Sequence, residues 1–291
     1  MSTTPAAPRL PGPVAAALAD PPPARPMPIP TADRDWYAVE WGSPVDPPVV
    51  LVHGVTSDSG TFWRVGPAVA ATGHHVVAVD LPGHGRTDAW RGRHRFVETA
   101  EELAAFIDAA SLAQPDLAVL GHSWGAMVVA WLPAVGLMPR VVVLLDPPAL
   151  TLPQLELVTH DPEEQPFADP ADAAARYAML RAAHPDWADG DVRAKVDGLR
   201  RFEPEAVRAV LLDNGDWDAG VEALGQPAAR RVPAWYIRGE WQTGGLIPES
   251  RLPDCVGRVG RDHVITIPGA PHSPQRTHVE ATVAAILRAI G

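Results

Sequence analysis

The chain has 291 residues, 46% of them hydrophobic and 20% charged, with a formal net charge of −11 and one cysteine. That fits one large α/β domain with an insertion, or two small domains, with a sizeable core. The acidic balance argues against a nucleic-acid surface, which needs clustered Lys and Arg; lone Cys255 excludes an intramolecular disulfide and multi-cysteine metal sites and fits a reducing compartment.

The N-terminal stretch "MSTTPAAPRLPGPVAAALADPPPARPMPIP" is rich in Ala and Pro, a composition typical of a flexible arm. The apolar run Val14 to Ala19 is too short for an export signal, and Pro11 and Pro13 precede it. Residues 1–30 therefore read as an arm outside the fold. No stretch approaches the roughly 20 apolar residues of a membrane helix, so the expected protein is cytoplasmic, with no membrane partner.

"WYAVEWG" (Trp36 to Gly42) alternates like an exposed strand. "VVLV" (Val49 to Val52) leads to a turn and a helix through Val65 to Ala71; "HVVAVD" (His75 to Asp80) leads to "LPGHGRTD" and a helix near Val97 to Ala110. "LAVL" (Leu117 to Leu120) breaks at "GHSWG" and resumes with helical spacing, and "VVVLLD" (Val141 to Asp146) follows. Strands alternating with helices mean βαβ units and a parallel sheet. From 147 to 231 only helical patterns occur, such as "ADAAARYAMLRAAH" and "PEAVRAVLLDN". The alternation then returns with "PAWYIRG", a helix near Pro248 to Val256, "HVITIPG" and a last helix through Val279 to Ile290. The division is thus a core over 31–146 and 232–291, with a helical cap over 147–231. Such an insertion reads as a lid over the carboxyl edge of the sheet, where ligands bind in open α/β folds.

Ser123 sits at the tip of the strand-to-helix turn, flanked by Gly121 and Gly125. So sharp a turn crowds strand against helix, which requires minimal side chains beside the serine. From 24 Gly and 8 Ser, chance yields roughly 0.05 such patterns in the chain, so the motif carries weight. A serine hydroxyl is a poor nucleophile at neutral pH; a histidine must take its proton and a carboxylate must orient that histidine.

"GHSWG" after a buried strand, "VLVHGVTSDSGTFW" upstream and "VVAVDLPGHGRTD" between them resemble the α/β-hydrolase family over residues 36–291. The resemblance implies an α/β-hydrolase fold, a mostly parallel sheet flanked by helices, with Ser123 as nucleophile. Its chain order of Ser, acid, His closes on His272, just past the last strand, with His278 as the fallback. The usual acid position, in the loop after the strand following the lid, holds neutral Gln242. Asp146, ending the strand before the lid, is the favoured acid, and some members of the family carry theirs there. Glu240 is the alternative, and a third reading is that no carboxylate serves. The amides of Trp124 and Val55 fall at the family's oxyanion-binding positions, His53 and Gly54 shape the turn beside Val55, and Asp80 and His84 look structural.

Ten tryptophans are many for this length. Trp63, Trp90, Trp124, Trp187, Trp217 and Trp241 fall on turns or lid segments, and Trp63, Trp187, Trp217 and Trp241 are taken as substrate-pocket candidates. Lid acids Asp161, Glu163, Glu164 and Asp169 would disfavour anionic substrates. The expected activity is a serine esterase or lactonase acting on a medium-to-large apolar ester or lactone. It would need no cofactor and no metal, and the chain would be a monomer or homodimer. The resemblance extends to macrocyclic-lactone hydrolases, proline iminopeptidases and C–C bond hydrolases. It excludes dehalogenases and epoxide hydrolases, which use a carboxylate where Ser123 stands. A non-catalytic binding protein on the same fold is the alternative from another class.

Overall fold

β-branched runs such as "VVLV" and "VVVLL" lose rotamer freedom in helices and pack well on a pleated surface, and both form central strands. The computed structural model describes residues 9–32, 34–88 and 94–291. Its eight strands are β1 (Arg25–Pro30), β2 (Asp35–Trp41), β3 (Pro48–Val52), β4 (His75–Val79), β5 (Ala118–His122), β6 (Val141–Leu145), β7 (Ala234–Arg238) and β8 (Val264–Thr266). They form one sheet in the order β1-β2-β4-β3-β5-β6-β7-β8. From β4 to β8 every pairing is parallel, while β1–β2 and β2–β4 are antiparallel.

Alternate side chains leave opposite faces of a strand, so the buried strands feed two apolar layers. Val50, Val52, Val119, Val142 and Leu144 pack with the helices Phe96–Ala109 and Trp124–Trp131. Val49, Leu51, Leu120, Val143 and Leu145 pack on the other face with Val65–Ala70 and Val279–Ile290. Leu51, Leu120 and Ile237 are fully buried, each contributing about 1.5–3 kcal/mol by leaving water.

The described part of the N-terminal stretch corrects the reading of a free arm. Gly12–Ala19 is a helix with Pro13 in its first turn, where a missing N–H is harmless, and Val14 is buried against the layer containing Trp41 and Val65. "RPMPIP" is β1, paired with β2 in the register Met27 to Ala38. Prolines at every second position remove donors from one side of the strand only. The Arg25, Met27 and Ile29 side remains able to pair, a pattern suited to an edge. Trp41 Nε1 donates to the Pro22 carbonyl at 3.3 Å and ties the connection down. Residues 1–8 lie outside the described set.

Between β6 and β7 the chain forms the helices Leu152–Val158, Ala173–Ala183, Asp189–Arg200, Pro204–Leu212 and Val221–Gly225. Leu150 and Trp217 exchange backbone hydrogen bonds of 3.0 and 2.7 Å, closing the ends of this excursion on each other. Glu203 N–H reaches the Gly83 carbonyl at 2.9 Å, and Asn214 Oδ1 accepts from Phe96 N–H at 2.8 Å, fastening the helices to the core. Among the described residues no helix is long and apolar enough to cross a membrane.

Candidate active site

β5 ends at His122 and the next helix begins at Trp124, so one residue makes the turn. Ser123 takes φ 55° and ψ −122° there, in a region L-residues rarely occupy, which strains the backbone. The flanking glycines are required by contact. A Cβ on Gly121 would stand 2.1 Å from the Gly125 carbonyl oxygen, and one on Gly125 would stand 2.4 Å from that of His53. Gly54 serves the same end from the neighbouring turn, since its Cβ would lie 2.9 Å from Ser123 Cβ.

His272 follows β8, and its Nε2 lies 2.9 Å from Ser123 Oγ. Its Nδ1 lies 2.8 Å from Asp146 Oδ2. Asp146 is fully buried at φ 43°, immediately after β6. Its Oδ1 accepts from Gly239 N–H at 2.9 Å and its Oδ2 from Leu246 N–H at 3.0 Å. These bonds satisfy a buried charge and orient it toward the imidazole, as such a charge requires. Ser123, His272 and Asp146 therefore meet at the carboxyl edge of the sheet. Glu240 is elsewhere engaged: its Oε2 accepts from Gly269 N–H at 2.9 Å. Gln242 is exposed, and His278 Nδ1 turns to Thr277 Oγ1 at 2.9 Å.

The Trp124 amide opens its helix, where no intrahelical acceptor exists; Val55 lines the cavity that holds Ser123. Neither N–H has an acceptor among the described residues. His53 Nδ1 donates to the Gly54 carbonyl at 2.7 Å while its Nε2 accepts from Leu81 N–H at 3.0 Å, joining the turns after β3 and β4. Asp80 accepts from Ser59 N–H at 2.7 Å and Arg86 N–H at 2.9 Å, a loop-bracing role. His84 is buried against the Trp124 ring, 5.0 Å between centroids.

The cavity over Ser123 has a volume of about 220 Å³, with Leu150, Leu155, Leu211 and Trp217 among its apolar walls. Drug-sized ligands usually occupy roughly 300–1,000 Å³; a second cavity of about 340 Å³ adjoins this one and shares Lys195, His272 and Arg276 with it. Of the four pocket tryptophans only Trp217 lines this cavity. Trp63 is drawn away by its Nε1–H bond to Asp191 Oδ1 at 2.9 Å. Trp187 stacks on His184 at 3.8 Å beside an adjoining cavity, and Trp241 stays exposed in a one-turn helix. Trp124 is fully buried, and Trp90 lies outside the described residues.

Other polar residues also reach the cavity, among them His122, Lys195, Arg276 and the carboxylates of Asp161 and Glu164. His122 Nε2 donates to the His272 carbonyl at 3.0 Å, holding the loop that carries His272. Burial holds its pKa well below the usual histidine value, with the His272 charge adding to the effect, so it serves as a neutral donor. Lys195 and Arg276, both buried, also line the cavity. Lys195 donates to Glu164 Oε2 at 2.6 Å. The only sequence signal for Arg276 was its position four residues after His272, and Lys195 had none.

A family model described as alpha/beta hydrolase fold matches residues 47–197. Phospholipase YtpA of Bacillus subtilis (strain 168) is 35% identical over 38% of this chain and 45% of its own length. Epoxide hydrolase A of Mycobacterium tuberculosis (strain ATCC 25618 / H37Rv) is 30% identical over 69% of this chain and 62% of its own. The chain spans less than half the length of the first curated relatives it matches. Among solved structures, E-2-(acetamidomethylene)succinate hydrolase superposes with a TM-score of 0.75 over 92% of this chain and 99% of that one, at 23% identity. That likeness is one of fold.

Proposed function

We propose, from the premise that this chain belongs to the α/β-hydrolase fold family, that it is a serine hydrolase cleaving a carboxylic ester or lactone. The observation that carries this reading is the relay of Ser123 Oγ, His272 and Asp146 through contacts of 2.9 and 2.8 Å. His272 Nε2 takes the hydroxyl proton as Oγ attacks the carbonyl, and buried Asp146 stabilises the resulting imidazolium. The Val55 and Trp124 amides bind the oxyanion. His272 then returns the proton to the departing alkoxide, leaving an acyl group on Oγ. Water, deprotonated by the same imidazole, attacks the acyl carbonyl; the proton passes back to Oγ and the acid leaves.

Serine chemistry favours an acyl substrate over an epoxide, despite the epoxide hydrolase similarity. Attack of Oγ on an epoxide carbon would give an ether, with no carbonyl through which water releases it. An acyl ester on Oγ turns over.

A screen of p-nitrophenyl esters by chain length, beside small and macrocyclic lactones, tests the reading. Short acyl esters should be hydrolysed by the wild type and not by Ser123→Ala. Equal rates for the two proteins, or no turnover of any ester or lactone, would favour a binding protein on this fold.

A further inference from the structure

The ion pairs near Arg276 leave one cation over. Arg64 pairs with Asp191, Lys195 with Glu164 at 2.6 Å, and Arg201 with Asp58 at 3.7 Å. Arg276 is 7% exposed and has no carboxylate within 4 Å among the described residues. Its Nη2 donates to Thr61 Oγ1 at 3.3 Å, and its Nε has no hydrogen-bond partner. The guanidinium lies over the Trp187 ring, 4.4 Å from the centroid. The carboxylates that draw its charge, Asp191, Glu164 and Asp58, are the three already claimed by other cations. Burying a cation without a partner is costly, and an arginine fork matches a carboxylate in geometry.

Arg276 lines the same cavity as Ser123 and His272, and so does Lys195. The other walls combine apolar Leu150, Leu155 and Trp217 with Asp161, whose Oδ1 accepts from Glu163 N–H at 2.9 Å. Of the lid acids expected to repel anions, Glu164 is paired with Lys195, Glu163 is hydrogen-bonded to His184 at 2.6 Å, and Asp161 is exposed at the cavity's rim, where solvent and salt screen its charge.

We propose that Arg276, with Lys195 beside it, binds a carboxylate of the substrate. The preferred substrates are then short esters bearing a second, free carboxylate, such as half-esters of dicarboxylic acids. This rests on the serine-hydrolase reading for turnover but not for binding.

The test uses monoethyl adipate and its neutral counterpart, in which the free carboxyl is a primary amide of nearly the same shape. Binding is measured by calorimetry on Ser123→Ala, which should not consume the ligand, and kcat/KM on the wild type. The acid should bind at least tenfold more tightly than the amide. Adding Arg276→Gln should bring the two together, and Arg276→Lys should restore part of the difference. Glu164→Gln, which releases Lys195, should widen it. Equal binding of acid and amide to Ser123→Ala, shown folded by its circular dichroism and its melting transition, overturns the proposal. Acid-selective binding without turnover by the wild type would sink the hydrolase reading and leave the carboxylate site standing.

Discussion

His272 Nδ1 lies 2.8 Å from Asp146 Oδ2, although the carboxylate ends β6 and the imidazole follows β8. Asp146→Asn keeps the shape and tolerates the left-handed backbone at φ 43°. Its amide group, however, brings donors to a place where the Leu246 N–H and the imidazole already donate. The histidine then loses its tautomer and the stabilisation of its cation. Asp146→Asn should lower kcat on the order of 10³–10⁴-fold, while Glu240→Gln should stay close to wild type. Steady-state kinetics of the two variants decide between the carboxylates.

Ser123 holds a strained backbone at φ 55°, ψ −122°. Ser123→Gly removes the Cβ that makes this conformation unfavourable, whereas Ser123→Ala retains it. The glycine variant should be more stable than the alanine variant by about 1 kcal/mol, net of its greater unfolded-state entropy. Calorimetric melting of both proteins checks this; equal or reversed Tm values would contradict it.

Gly121→Ala should destabilise by about 1–3 kcal/mol or more, because the new methyl meets backbone that cannot move aside. The nearest atoms are the Gly125 carbonyl oxygen at 2.1 Å and the Ala126 nitrogen at 2.5 Å. Gly257, exposed in the helix Leu252–Val259, has nothing within 4 Å of its added Cβ. Gly257→Ala should stabilise by about 0.5–1 kcal/mol, and urea midpoints of the pair give the contrast.

Burial pushes the Asp58 carboxyl up from 3.8 to about 7, with the nearby Asp80 charge adding to it and the Gly60 N–H and Arg201 opposing. The folded state therefore holds a proton that the unfolded chain has released between those values. This contribution favours folding below pH 3.8 and is lost as pH rises toward 7. Asp58→Asn lacks that dependence, so its Tm relative to wild type should rise between pH 5 and 8. A constant difference across that range would count against the assignment.

Much of the site was legible because its local demands are short-range. The glycines around Ser123 answer a steric requirement written in five residues, and Asp146 and His272 follow strands visible as apolar runs. The edge strand β1 was hidden because "RPMPIP" carries prolines at alternate positions, which suggest disorder until a partner occupies the other side. The tryptophans misled because exposure to the cavity depends on lid packing; Trp63, for example, is drawn to Asp191. The surplus charge of Arg276 is a property of three ion pairs distant in the chain, and no local pattern encodes it.

The most direct measurement is treatment with a fluorophosphonate followed by intact-mass and peptide mapping. The account expects one adduct, on Ser123, formed quickly by the wild type, far more slowly by His272→Ala, and absent in Ser123→Ala. No adduct on the folded wild-type protein, or an adduct rate unaffected by the loss of His272, would contradict an activated serine here.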